Sequence, residues 1–122
     1  MKDIVFSLKN GHAVINGRQV ELPGVTTDTL TVSGGMLICV DDGGPQRNRN
    51  AYLVSQDGAV LWQIEDPYPR LGGEYRGYTG LRYTEDGKVL AYCSVGVDFE
   101  VDLRTGKVKP WVDPKNPNKR PW

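Results

Sequence analysis

The chain has 122 residues, and its 15 basic side chains balance its 15 acidic side chains, so it carries no net charge at pH 7. That balance excludes a strong electrostatic field that would steer the protein toward nucleic acid or an anionic membrane surface. The 15 glycines and 8 prolines give a turn-rich composition, and strand-favouring residues fill the stretches between the turns, so we expect one all-β domain.

The first 40 residues predict a meander followed by a buried strand. Charges interrupt the first apolar residues, and no stretch approaches the roughly 20 apolar residues of a membrane-spanning helix, so we expect a cytoplasmic protein without membrane contact. Residues 1–24 predict three strands, and Asn16-Gly17 between the second and third is typical of a type I′ hairpin turn. Residues 36–40 form a continuous apolar run, which predicts a strand covered on both faces.

The rest of the chain predicts further strands on either side of two long loops. A polar loop spans residues 41–50, and the longest loop spans residues 65–77. Short apolar runs before, between and after them predict strands as far as residue 112. We therefore predict an antiparallel meander of about ten strands, barrel-like or sandwich-like, in a single domain over residues 1–112. Residues 113–122 are expected to form a Pro-rich basic tail.

Turn chemistry recurs along the chain. Ser55-Gln-Asp-Gly-Ala-Val-Leu61 lines up with Thr84-Glu-Asp-Gly-Lys-Val-Leu90, with a hydroxyl side chain opening each turn and glycine where φ must be positive. At a larger scale, residues 29–64 and 79–112 each predict four strands in the same order. The segments Tyr52-Leu-Val-Ser-Gln-Asp-Gly-Ala-Val-Leu-Trp62 and Glu100-Val-Asp-Leu-Arg-Thr-Gly-Lys-Val108 resemble the blade repeat of β-propellers. This resemblance implies a ring of typically about 4–8 blades, which two units could complete only as a homo-oligomer. Closure within one subunit, as a sandwich or a barrel, is the alternative that we favour, because most antiparallel chains of this length achieve it.

The loop at residues 65–77, with Tyr78 beside it, is the best candidate for a binding site. A loop of about a dozen residues exceeds the common connection length, and such loops are often functional. Tyrosine and arginine are enriched in binding hot spots, and arginine recognises carboxylate or phosphate groups. The predicted ligand-binding residues are Tyr68, Arg70, Glu74, Tyr75, Arg76 and Tyr78. Alternatively, the prolines and glycines only turn the chain, and the tyrosines cover the edge of the core.

The sequence carries no recognisable motif for catalysis, metal binding or a cofactor. Cys39 and Cys93 lie in apolar strands and are expected to be buried free thiols, and His12 is the only histidine of the chain. We therefore predict no catalytic residue, no metal ligand and no cofactor. The adjacent carboxylates of Asp41 and Asp42 are expected to pair with basic residues of the same loop rather than to bind a cation.

These features favour a non-enzymatic binding or interaction module, which holds a small ligand, a carbohydrate or a protein partner through the 65–78 region. Unpaired strand edges lead us to expect a homo-oligomer. Two alternatives stay open. A small hydrolase could use loop carboxylates, namely Asp41, Asp42, Glu65, Asp66 and Glu74. A nucleic-acid binder could use the basic segment from Arg104 to Trp122, although the balanced charge makes nucleic acid a less favoured partner.

Overall fold

The computed structural model describes residues 5–41, 49–67, 77–93 and 97–115, and within these ranges it contains eleven strands and no α-helix. The strands in chain order are β1 (Phe6–Lys9), β2 (His12–Ile15), β3 (Arg18–Gln19), β4 (Thr26–Val32), β5 (Gly35–Val40), β6 (Ala51–Val54), β7 (Val60–Gln63), β8 (Tyr78–Tyr83), β9 (Val89–Cys93), β10 (Asp98–Val101) and β11 (Val108–Pro110). The prediction of an all-β chain is confirmed.

The strands form three antiparallel sheets, and in each sheet the strands follow one another in chain order. Sheet A contains β1, β2 and β3, sheet B contains β4 to β7, and sheet C contains β8 to β11. Sheet A is the predicted meander near the N-terminus. Sheets B and C span residues 26–63 and 78–110, close to the two four-stranded units expected at 29–64 and 79–112.

Tight glycine turns explain why neighbouring strands pair. Asn16 and Gly17 have φ angles of 49° and 84°, as a type I′ turn between β2 and β3 requires. The two turns that repeat in the sequence are also alike in structure. The Ser55 Oγ accepts a hydrogen bond from the N–H of Ala59 at 3.2 Å, and the Thr84 Oγ1 accepts one from the N–H of Lys88 at 2.9 Å. Ser55 in sheet B and Thr84 in sheet C therefore stabilise equivalent turns by accepting the same backbone hydrogen bond.

Sheet B is the central layer, because both of its faces are covered. Alternate residues of β5 point to opposite faces, with Ile38 in the core shared with sheet A and Leu37 in the core shared with sheet C. Every residue of β5 is buried, which confirms the prediction of a strand covered on both faces. The three sheets thus form an open, sandwich-like stack with two hydrophobic cores.

Sheets B and C meet along their first strands without joining into one sheet. β4 and β8 run in the same direction side by side, and side chains rather than a backbone ladder connect them. The N–H of Leu81 donates to the Asp28 carboxylate at 2.8 Å, and the Tyr83 hydroxyl donates to the carbonyl of Thr31 at 2.6 Å. This contact fixes how the two four-stranded sheets are placed relative to each other.

Candidate functional site

The two longest loops of the chain leave the same end of sheet B. The first joins the end of β5 to the start of β6, and the second joins the end of β7 to the start of β8. Because strands alternate in direction in an antiparallel sheet, these ends lie together. The residues at the ends of the two loops are therefore close enough to form hydrogen bonds with one another.

Asn50 ties the two loops together at this end. Its side chain is 4% exposed, and it donates to the carbonyl oxygens of Val40 and Tyr78, each at 2.8 Å. Its Oδ1 accepts the N–H of Tyr78, also at 2.8 Å. One amide side chain thus connects the end of β5, the start of β6 and the start of β8. A buried polar group with all these partners gives a single, rigid arrangement at the base of both loops.

Tyr78 lies in the core rather than on a surface. Its side chain is 2% exposed, and its ring meets the ring of Phe99 edge to face with centroids 6.2 Å apart. Its hydroxyl donates to the carbonyl of Glu65 at 2.8 Å, and burial raises the pKa of Tyr78 far above the usual value of a phenol. The ring is thus not available to a ligand at the surface. Tyr78 instead holds the two ends of the 65–77 loop at a fixed separation.

Glu65 anchors the other end of the loop to sheet C. Its N–H donates to the carbonyl of Gly106 at 2.9 Å, and its carboxylate accepts the N–H of Val108 at 3.2 Å. Just before it, the Trp62 indole donates to the carbonyl of Leu103 at 2.8 Å. The loop therefore begins and ends at positions that sheet C fixes.

The remaining predicted ligand-binding residues lie outside the described part of the chain. They are Tyr68, Arg70, Glu74, Tyr75 and Arg76. Their assignment to a binding site stays a prediction, and only the two ends of their loop have a described geometry.

Two charged residues of the 41–50 loop bind the backbone of neighbouring segments. The Asp41 carboxylate accepts the N–H of Val25 at 2.6 Å, and the Arg49 Nε donates to the carbonyl of Ile64 at 3.0 Å. Their expected partners Asp42 and Arg47 lie outside the described residues. Asp41 and Arg49 thus help to fix the loop ends, a role that the spacing of charges along the sequence does not indicate.

The sequence model of a domain of unknown function, DUF7957, matches residues 3–111. The chain belongs to this family. The match covers all three sheets, so the family corresponds to the stack as a whole. Searches of curated proteins and of solved structures each found no match.

The DUF7957 chain keeps its two thiols inside the core between sheets B and C. Cys39 and Cys93 are free and buried, as the sequence predicts. Burial raises the pKa of each thiol to about 12, so neither forms much of the reactive thiolate at neutral pH. Within residues 5–41, 49–67, 77–93 and 97–115, no three acidic, histidine or cysteine side chains converge as metal ligands. The same ranges contain no helix of the length and apolar character needed to cross a membrane.

Proposed function

We propose that this DUF7957 chain is a non-enzymatic binding module that holds a small ligand, a carbohydrate or a protein partner through its 65–77 loop. One observation carries the proposal: the Asn50 amide joins the bases of both long loops at one end of the stack. A long loop on a rigid base is the usual way in which a β scaffold presents variable side chains to a partner.

The composition of the loop supports a ligand with a polar or anionic group. Arg70 and Arg76 can each offer a fork of N–H donors to a carboxylate or phosphate. Tyr68 and Tyr75 can offer flat apolar rings with a hydroxyl at the edge, which suit the face of a sugar or a peptide. By this proposal Tyr78 is a positioning residue, because its buried ring contacts the loop ends and not the ligand.

A binding assay with matched variants tests this proposal. The full chain is applied to an array of neutral and uronate-containing oligosaccharides and to an array of acidic and phosphorylated peptides. We expect binding to one class of probe, weakened roughly 30-fold or more by the paired change Arg70→Ala and Arg76→Ala, because arginine hot spots are worth about 2 kcal/mol or more. The matched control is Lys9→Ala, which removes an exposed cation from sheet A. Binding to no probe, or equal binding by both variants, would refute the proposal.

We also propose that sheets B and C are related as neighbouring blades of a propeller, and that the chain forms a homo-oligomer through an edge strand. Support for the first part is the parallel course of β4 and β8. Support for the second is β7, an edge strand on which Val60 and Leu61 are 46% and 54% exposed. Unprotected apolar edges tend to pair with another chain.

Light scattering tests the oligomer. We expect a mass greater than that of one chain, which falls to the mass of one chain when Leu61→Lys places a charge on the edge. The control Leu8→Lys changes an apolar side chain of similar exposure, 53%, in sheet A. A wild-type chain that stays monomeric from dilute to concentrated solution would refute the oligomer.

A further inference from the structure

Sheets A and B share one backbone bond that aligns them residue by residue. In each sheet, the residue that follows the last strand donates its N–H to an alanine near the start of the strand before it. In sheet A, Val20 donates to the carbonyl of Ala13 at 2.9 Å. In sheet B, Ile64 donates to the carbonyl of Ala51 at 2.8 Å. Both alanines are buried in the core on the side of the next sheet, so β2 and β3 are the counterparts of β6 and β7.

The strand that pairs across this alanine is β1 in sheet A and β5 in sheet B. Leu8 of β1 lies opposite Ala13, and Cys39 of β5 lies opposite Ala51. Leu8 is therefore the counterpart of Cys39. On its other side, Cys39 is paired with Asp28 of β4. Among the described residues, sheet A has no strand in the position of β4, so it is a four-stranded unit without its first strand.

The absence of a first strand leaves apolar side chains uncovered beside β1. Cys39 is 0% exposed, whereas its counterpart Leu8 is 53% exposed. Val25 packs against Gly11, in the turn that follows β1, and is 44% exposed. A strand paired with β1 would cover Leu8, as β4 does Cys39.

The free edge of β1 also offers the backbone groups that an added strand needs. The carbonyl of Ala13 is bonded to Val20 on the side of β3. The N–H and the carbonyl of Leu8, which lies opposite Ala13, therefore point away from β2, and so do those of Phe6 two positions earlier. In the described part of the chain these four groups form no hydrogen bond with another element. They are the unpaired row that an edge strand presents to a second chain.

β4 shows what kind of segment fits this edge. It runs antiparallel to β5 and places Leu30 opposite Leu37, which is the counterpart of Phe6. Leu30 packs on the core between sheets B and C, as Phe6 packs on the core between sheets A and B. The last four residues of β4 alternate threonine with an apolar residue. A strand beside β1 needs the same direction and the same alternation.

We propose that the free edge of β1 is a docking site for an extended segment of a partner protein, which adds to sheet A as its first strand. The segment runs antiparallel to β1, bonds the backbone of Phe6 and Leu8, and covers Leu8 with an apolar side chain. In such strand addition the main-chain bonds supply affinity and the alternate side chains supply specificity. Within the described ranges, every strand of a second copy already has its place in a sheet, so the segment comes from a different protein. This inference depends neither on the ligand of the 65–77 loop nor on the β7 edge.

Amide hydrogen exchange, followed by NMR on the full chain, tests the edge itself. In the free chain the N–H groups of Ser7 and Lys9 bond to β2, whereas those of Phe6 and Leu8 face solvent. We expect the second pair to exchange roughly tenfold faster or more than the first. Protection of Phe6 and Leu8 in the free chain equal to that of Ser7 and Lys9 would overturn the proposal, because the chain or a second copy would then fill the edge.

A synthetic peptide tests the docking. The probe has the sequence of residues 26–32 with Asp28→Val, because its residue opposite Leu8 should be apolar, and two added C-terminal lysines for solubility. We expect it to protect the N–H groups of Phe6 and Leu8 in a saturable manner. The control peptide carries Leu30→Asp in addition, which places a charge opposite Phe6, and should give no protection. Absence of saturable protection by the probe, or equal protection by the control peptide, would overturn the proposal.

Leu8→Pro closes the edge at the level of the backbone. Proline is tolerated where the N–H of an edge strand faces solvent, so the ladder with β2 should survive while the incoming strand loses a hydrogen bond. We expect the affinity for the probe to fall about tenfold or more. The control Lys9→Ala changes an exposed side chain and leaves the edge backbone intact, so it should bind as the wild type does.

Circular dichroism shows whether Leu8→Pro is folded. Should it be unfolded, Leu8→Lys replaces it, because Leu8 is 53% exposed and a lysine there opposes pairing at the edge without opening the core. A folded variant of either kind that binds the probe with the wild-type affinity overturns the proposal.

Discussion

Replacing Asn50 by alanine should destabilise the protein more than any loss of an exposed polar group. The change removes three hydrogen bonds of 2.8 Å from a side chain that is 4% exposed. A buried peptide group that loses its partner costs about 1–3 kcal/mol. The carbonyl of Val40 and the carbonyl and N–H of Tyr78 are three such groups, so we expect a loss of about 3–9 kcal/mol. This is a large part of the roughly 5–15 kcal/mol by which a domain is stable.

Urea unfolding followed by tryptophan fluorescence measures this loss. The midpoint should fall while the slope with denaturant stays constant, because the native surface is unchanged. Gln19→Ala is the control, since its exposed amide makes only a 3.5 Å contact with Glu21, and we expect its effect to stay within about 0.5 kcal/mol. Asn50→Asp should be at least as costly as Asn50→Ala, because a carboxylate cannot donate to the two carbonyls. If Asn50→Ala and Gln19→Ala lie within about 1 kcal/mol of each other, Asn50 does not hold the loop bases together.

Two further predictions concern the core. In the same urea assay, Gly35→Ala should lower the free energy of unfolding by more than Gly80→Ala. A Cβ at Gly35 would overlap the rigid backbone carbonyl of Val54, whereas a Cβ at Gly80 would meet only the end of the Tyr92 side chain. Equal losses of stability in the two variants would contradict this. Burial raises the pKa of Cys39 and Cys93 from 9.0 to about 12. As the pH rises, the unfolded chain therefore loses its thiol protons before the folded chain does. The free energy of unfolding should then fall between about pH 9 and pH 12, by up to about 1.4 kcal/mol per pH unit for each thiol. Urea midpoints at pH 8 and pH 10.5 measure the fall, which should be shallower in Cys93→Ser; parallel curves for the two proteins would contradict the assignment.

The order of the strands was predictable because the signals that set it are local. The Ser55 and Thr84 turns need only a hydroxyl and a glycine a few residues apart, and both form the bonds that this spacing indicates. The burial of β5 follows from an uninterrupted run of apolar residues. The two four-stranded units emerge from these signals alone.

The candidate site was less predictable, because its determinants join residues far apart in the chain. Asn50 follows a polar loop and looks like any surface asparagine, yet its partner Tyr78 lies 28 positions away. The type of residue did not reveal the burial of Tyr78 either, since tyrosine is intermediate between the buried and the exposed residue types and is also enriched at interfaces. The Trp111 ring likewise contacts the guanidinium of Arg82, which no periodicity along the chain connects to it.

Because every sheet is a meander of consecutive strands, nearly all backbone pairing in the described residues is between chain neighbours. Hairpins of this kind close small loops and lose little chain entropy, so folding can begin independently in each sheet. The contacts that span many residues, such as the bond between Leu81 and Asp28, then serve to dock preformed sheets. In amide hydrogen exchange, β5 and β6 should therefore be the last strands to open, because exposing them requires both neighbouring sheets to separate from the centre.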